Sequence, residues 1–242
     1  MQFLNKVLAG ATLAAAMAAT AQAGVVSVGG VTWNTDDVID FSGTTDTVRQ
    51  LIGADGSLSG SGLITKINGS GSFCTACTTL SFTFGGYEQL TGSLPAPGSS
   101  GTSNLTYSDG WVKVYANYAD GSSALWLDMV AHAIGDFNGT TLMGSITTVL
   151  GSVSGMNGLG WLDVVGGLAA DYFDTNAMAD GSDFTFSTTF TSYYPDFTNA
   201  VGSGTFTSRS DVPTADVPEP ASIALMGLGL LGLAARHRKQ AQ

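Results

Sequence analysis

Short runs in which apolar and polar residues alternate dominate the chain. In residues 79–84, Leu80, Phe82 and Phe84 fall on one face and hydroxyl residues on the other. Residues 184–190 repeat the pattern with one polar substitution, and residues 111–118 are mostly β-branched and aromatic. A period of two is what a strand with one buried face requires. Weaker runs occupy residues 57–68, 124–134, 142–150, 161–168 and 202–208. Turn pairs punctuate them: Asp-Gly beginning at Asp55, Asp109, Asp120 and Asp180, and Asn-Gly beginning at Asn68, Asn138 and Asn157. Such pairs tolerate the positive φ of hairpin turns. The one candidate helical turn lies at residues 169–173, and no amphipathic helices separate the strand signals as a parallel α/β fold would need. The pattern predicts an all-β fold, an antiparallel β-sandwich of jelly-roll type with roughly eight to ten strands. A β-helix is the second choice, although no fixed-period repeat supports it.

The two ends read differently. Residues 1–23 have the layout of a secretory signal peptide: Lys6, then a small-residue apolar stretch, then Ala21-Gln22-Ala23 as an A-x-A cleavage signature before Gly24. Residues 24–210 form the predicted body and residues 211–216 a linker. Residues 217–242 form a tail. It opens on Val217-Pro218-Glu219-Pro220, continues as an apolar run over residues 221–235, and ends in the basic Arg236-His237-Arg238-Lys239. As a helix, 15 residues reach about 22 Å, short of the roughly 30 Å of a bilayer core. Pro218 and Pro220 stop the helix from extending backwards. Arg236, Arg238 and Lys239 act as a membrane stop and stay cytoplasmic by the positive-inside rule. That orientation puts Glu219 on the outside.

Charge narrows the choice of partners. Only Arg49, Lys66, Lys113 and Arg209 of the 8 Lys and Arg lie between the two ends, against all of the 19 Asp and Glu except Glu219. Such a body lacks the basic face that nucleic-acid binding needs. Charged residues make up 11% of the chain, well under the usual quarter. Gly, Ser, Thr and Asn take their place, which suits a secreted β protein.

The signal peptide, Pro-Glu-Pro motif, short apolar helix and basic end together resemble the PEP-CTERM sorting signal of Gram-negative bacteria. The resemblance covers residues 217–239. It implies a substrate of an exosortase, a membrane peptidase thought to cut near the motif. It also implies passage through the export machinery and the inner membrane, and delivery to the cell surface or beyond. Carriers of the signal are commonly linked to extracellular polysaccharide and biofilm matrix. Within the body, Phe73-Cys74-Thr75-Ala76-Cys77 and the strand after it are similar to a Phe-Cys-x-x-Cys segment of one group of PEP-CTERM proteins, as are residues 167–176. No activity follows from that similarity.

Candidate chemistry is sparse. Gly227-Leu228-Gly229-Leu230-Leu231-Gly232 has the letters of a dinucleotide fingerprint, but it lies in the apolar tail with no strand before it. Cys74 and Cys77 are the only cysteines. Zinc would want four ligands, and a redox pair would sit at a helix N-terminus. Export to an oxidising compartment favours a local disulfide. His132 is the body's only histidine, and without a G-x-S-x-G elbow it is expected to be an ordinary strand residue. Asp136, Asn138, Asp174, Asn176, Asp180 and Asp183 could offer oxygen to Ca²⁺, though none completes an EF-hand loop. Turn chemistry and acidic solubility compete with that reading. Trp33, Trp111, Trp126 and Trp161 are either core or a sugar-stacking platform. The expectation is a non-catalytic surface or matrix protein without a cofactor. The alternatives are a secreted hydrolase using Asp carboxylates and a Ca-dependent carbohydrate-binding module. An assembling, fibre-forming protein would instead show long unprotected edge strands.

Overall fold

Alternating strands bury their apolar faces only if the sheet meets a second layer or curls onto itself, and this chain curls. The computed structural model describes residues 25–35, 40–53, 55–96, 98–135, 138–191 and 199–209. The signal segment with Ala21, Ala23 and Gly24, the linker and the tail with Val217, Pro218, Glu219, Pro220, Arg236, Arg238 and Lys239 lie outside the described residues. So does Asp136.

Twelve strands are present: β1 (Val25–Val28), β2 (Val31–Asn34), β3 (Phe41–Ile52), β4 (Leu58–Ile64), β5 (Lys66–Ile67), β6 (Thr79–Thr91), β7 (Gly101–Asn117), β8 (Ser123–Ala131), β9 (Leu142–Val149), β10 (Ser152–Gly166), β11 (Phe184–Thr191) and β12 (Asn199–Ser208). A single helical turn, α1 (Ala170–Phe173), follows β10. Every pairing is antiparallel, in the order β3-β4-β6-β7-β8-β10-β11-β12, and β12 returns to β3. The result is a closed eight-stranded up-and-down barrel. The expected jelly-roll sandwich is therefore corrected, and so is the β-helix alternative. Period-two alternation is the same for two stacked sheets and for one closed sheet. What decides is that β10 takes β11 on one side and that β12 completes the circle. Closure leaves the main circuit without the long open edges a fibre former would show.

One slot of the barrel is shared. β8 lies beside the second half of β7, with Trp111 opposite Val130, and β9 lies beside the first half, with Tyr107 opposite Leu142. On β10, Leu162 faces Ala131 and Gly160 faces Leu142. The two short strands are one strand interrupted by an excursion over residues 132–141. Its base is stitched to Trp161, whose carbonyl accepts from the His132 N–H at 2.9 Å and whose N–H donates to the Thr141 carbonyl at 3.2 Å.

Two predicted turns lie inside strands. Asp109 and Gly110 have φ of 53° and 109° within β7, and Gly110 is close-packed: an added Cβ would stand 2.4 Å from the Tyr87 ring. Asn157 and Gly158 are ordinary ladder positions of β10. The turn expectation is corrected at both pairs: positive φ at Asp109-Gly110 makes a kink within β7, and Asn157-Gly158 has no positive φ and forms part of the barrel wall.

The interior repeats one packing device. Gly60 faces Phe84, Gly62 faces Phe82, Gly160 faces Phe186 and Gly202 faces Phe190 across the ladder. A Cβ at any of the four would come within 2.6 Å of its facing ring. Small and large residues thus alternate so that aromatic rings fit a narrow lumen. Outside, Thr91 meets Thr106 at 2.6 Å, Thr102 meets Thr147 at 3.0 Å and Thr185 meets Thr207 at 2.7 Å, hydroxyl to hydroxyl. The inside is apolar, and the outside mixes these hydroxyl pairs with exposed apolar residues such as Leu63 and Leu159.

One end is sealed. Trp33 of β2, Phe41, Trp126, Phe173 of α1 and Phe184 form an aromatic cluster, with Phe173 centred 5.2 Å from each of Trp33, Phe41 and Phe184. Such pairs add about 0.5–1.5 kcal/mol each beyond burial. The Trp126 indole donates to the Val28 carbonyl and the Tyr118 hydroxyl to the Gly29 carbonyl, both at 3.0 Å, fixing the β1–β2 hairpin over this end.

Candidate functional site

Two of the four acidic candidates, Asp180 and Asp183, are engaged by turn and backbone donors. Asp55-Gly56-Ser57, Asp120-Gly121-Ser122 and Asp180-Gly181-Ser182 share one arrangement: the Asp Oδ1 accepts from the Ser N–H and from the Ser hydroxyl, the latter at 2.7, 2.6 and 2.7 Å. The Ser57 hydroxyl, then its N–H, hold the Asp55 carboxyl below its ordinary pKa, and Ser122 does the same to Asp120. The triplet is visible in the sequence, where only its Asp-Gly half was used.

Asp183 is 1% exposed. Its Oδ2 accepts from the Val164 N–H at 2.7 Å, and its Oδ1 accepts from the N–H groups of Thr175 and Asn176. Surrounding a carboxylate with donors is the opposite of preparing it for a cation. Asn138 and Asn176 sit at positive φ, and Asp174 is exposed on the C-terminal side of α1. Among the described residues, no group of three His, Cys, Asp or Glu is placed to hold a metal.

His132 lies just beyond β8 rather than within a strand, and its packing is not ordinary. Its Nδ1 stands 2.8 Å from both Asp163 carboxylate oxygens, with both side chains partly exposed. Cys74 and Cys77 are bonded to each other, with Cα atoms 4.9 Å apart. Their loop grips the hairpin: the Thr75 N–H donates to the Gly30 carbonyl, and the Thr32 N–H donates to the Phe73 carbonyl, both at 2.8 Å.

Of the four tryptophans, Trp33, Trp126 and Trp161 are buried, and Trp111 is 36% exposed on the outer face. Trp111 faces Gly85 across the β6–β7 ladder, and its ring lies against both Gly85 and Gly86, where added Cβ atoms would meet it at 3.1 and 3.0 Å. Two adjacent glycines let the indole rest on the sheet. It walls a shallow groove that also contains Arg49, Leu51, Ser59, Ser61 and Thr83. Lys113 approaches the indole at 5.9 Å and pairs with Asp128 at 3.2 Å. The signal for this groove, a Gly-Gly pair on one strand and a Trp on the next, becomes readable only when register is known.

No helix among the described residues is long and apolar enough to cross a membrane. No curated protein and no solved structure matches the chain. Residues 216–239 match the PEP-CTERM protein-sorting motif. The chain therefore carries a PEP-CTERM sorting signal, which implies an exported surface protein processed by an exosortase.

Proposed function

We propose that the barrel is a non-catalytic module that holds extracellular polysaccharide at the cell surface, with the Trp111 groove as its contact. The observation that carries this reading is an indole laid on a glycine floor beside hydroxyl side chains and a guanidinium. An indole face suits the apolar face of a pyranose ring. Ser59, Ser61, Thr83 and Arg49 supply hydrogen bonds to sugar hydroxyls along the groove. The acidic body repels polyanions at long range, so a neutral polymer fits better than an acidic one. Neither this groove nor the barrel lumen contains Asp or Glu among its lining residues, which favours holding a glycan over hydrolysing it.

Affinity electrophoresis of the full-length protein through neutral polysaccharides tests this. Retardation is expected for the native protein, and Trp111→Ala should weaken it at least about tenfold, as for a stacking anchor, without lowering the melting midpoint. Equal retardation of the variant, or shortening of the polymer during incubation, would overturn the reading.

A further inference from the structure

Four interior glycines are filled by facing phenylalanines, Gly158 and Gly204 are filled by Thr188, and Gly144 is left open. Gly144 and Gly158 are direct partners on β9 and β10, and the next residue across on β11 is Thr188. A Cβ on Gly144 would meet nothing closer than the Asn157 carbonyl oxygen at 3.6 Å and Leu105 Cβ at 4.0 Å. Three small residues in one row thin the inside of the wall. Beside them is a cavity of about 50 Å³, with Leu105, Ile146, Met156 and Phe190 among its walls and no charged residue.

One polar atom in this lining is unexplained. Tyr87 lines the cavity at 1% exposure, and its hydroxyl is buried without a hydrogen-bond partner. A phenylalanine would fill the same space without that desolvation cost. Burial raises the Tyr87 pKa well above its ordinary value, so the hydroxyl stays protonated and remains a donor.

We propose that the barrel lumen is a binding site for a small, uncharged, largely apolar molecule whose single acceptor oxygen takes the Tyr87 hydroxyl proton in a hydrogen bond. Uncharged follows from the lining, because an ion there would have no counter-charge. Small follows from the volume, which takes about two or three heavy atoms. Eight-stranded barrels have interiors of the size that holds one such ligand. The site differs from the outer groove in its anchor: Trp111 faces outward and does not line the cavity, although Gln50 and Phe84 line both.

The test uses ethanol and, as its charged counterpart, acetate, read on the Met156 methyl resonance of the full-length protein. Ethanol should shift that resonance saturably, and acetate should not. Gly144→Leu should abolish the saturable shift and raise the melting midpoint by filling the cavity. Gly144→Ala, whose added carbon meets only ordinary contacts, should weaken binding even if the leucine variant fails to fold. Tyr87→Phe should raise the midpoint of the free protein while weakening ethanol about tenfold, the loss of one hydrogen bond. A tyrosine with a purely structural role would give the opposite sign in the midpoint. The proposal falls if the Met156 resonance does not respond, if acetate binds as well as the alcohol, if the alanine variant binds undiminished, or if Tyr87→Phe leaves ethanol affinity unchanged.

Discussion

Asp183 holds three segments together with one carboxylate. Val164 on β10, and Thr175 and Asn176 after α1, all point N–H groups at it, while its own carbonyl accepts from the Ser208 hydroxyl at 2.7 Å. Asp183→Ala would orphan three donors in a site that water does not reach. The expected loss is about 3 kcal/mol or more. Asp183→Asn should lose less, because one oxygen remains to accept. Urea unfolding of both variants measures this, and an alanine variant as stable as the native protein would contradict the bracing role. The same chemistry was half legible in the sequence. The Asp-Gly pairs at Asp55, Asp120 and Asp180 announce turns, and the serine that completes each is the next letter. Nothing local separates Asp183 from Asp180, three residues earlier, because its partners come from elsewhere in the chain.

At the scale of elements, legibility followed side-chain chemistry. Residues 79–84, 111–117 and 184–190 carry large apolar residues among polar ones and lie in strands, with Tyr118 just beyond β7. β3 and the first half of β10 escape the pattern because several of their inward positions carry Gly, Thr or Gln where a hydrophobic pattern is sought, whereas the first half of β7 offers only Leu105 and Tyr107 as buried apolar positions. Gly43, Thr45 and Gln50 of β3 and Gly158 and Gly160 of β10 are such positions, and at Gly160 the facing Phe186 ring occupies the space a side chain would fill. The β1–β2 hairpin was also missed, being two four-residue strands. It is held from outside by the loop that Cys74 and Cys77 close. A loop this short contributes about 2 kcal/mol in the chain-entropy account, so reduction should leave the barrel folded. The hairpin should loosen first. Hydrogen exchange with and without reductant should show the Thr32 and Thr75 amides losing protection before those of β6 or β11. Unchanged protection at Thr32 and Thr75 after complete reduction would mean that the aromatic cluster alone secures the hairpin.

On the scale of the whole molecule, the feature least visible in the sequence is closure, and the most visible is the sorting signal. A local motif such as Val217-Pro218-Glu219-Pro220 with its apolar and basic sequel needs no partner to be recognised. Closure is a relation between β3 and β12, residues that meet across most of the chain, as Phe41 does with Ser208 and Leu51 with Asn199. That relation predicts how truncations behave. A chain ending after residue 212 keeps every strand of the circle, so it should melt at the same midpoint as the full-length protein. It should still be exported, and it should fail to be retained at the surface, since the segment matched by the sorting motif is gone. A chain ending after residue 191 retains β11 but loses β12. It would present β3 and β11 as two open edges, each a template for pairing with another chain, and should aggregate rather than melt cooperatively. Cell fractionation and calorimetry of the two truncations separate the contributions. Surface retention without residues 213–242 would detach location from the tail, and a cooperative, monomeric transition without β12 would mean that the barrel does not need its last strand to close.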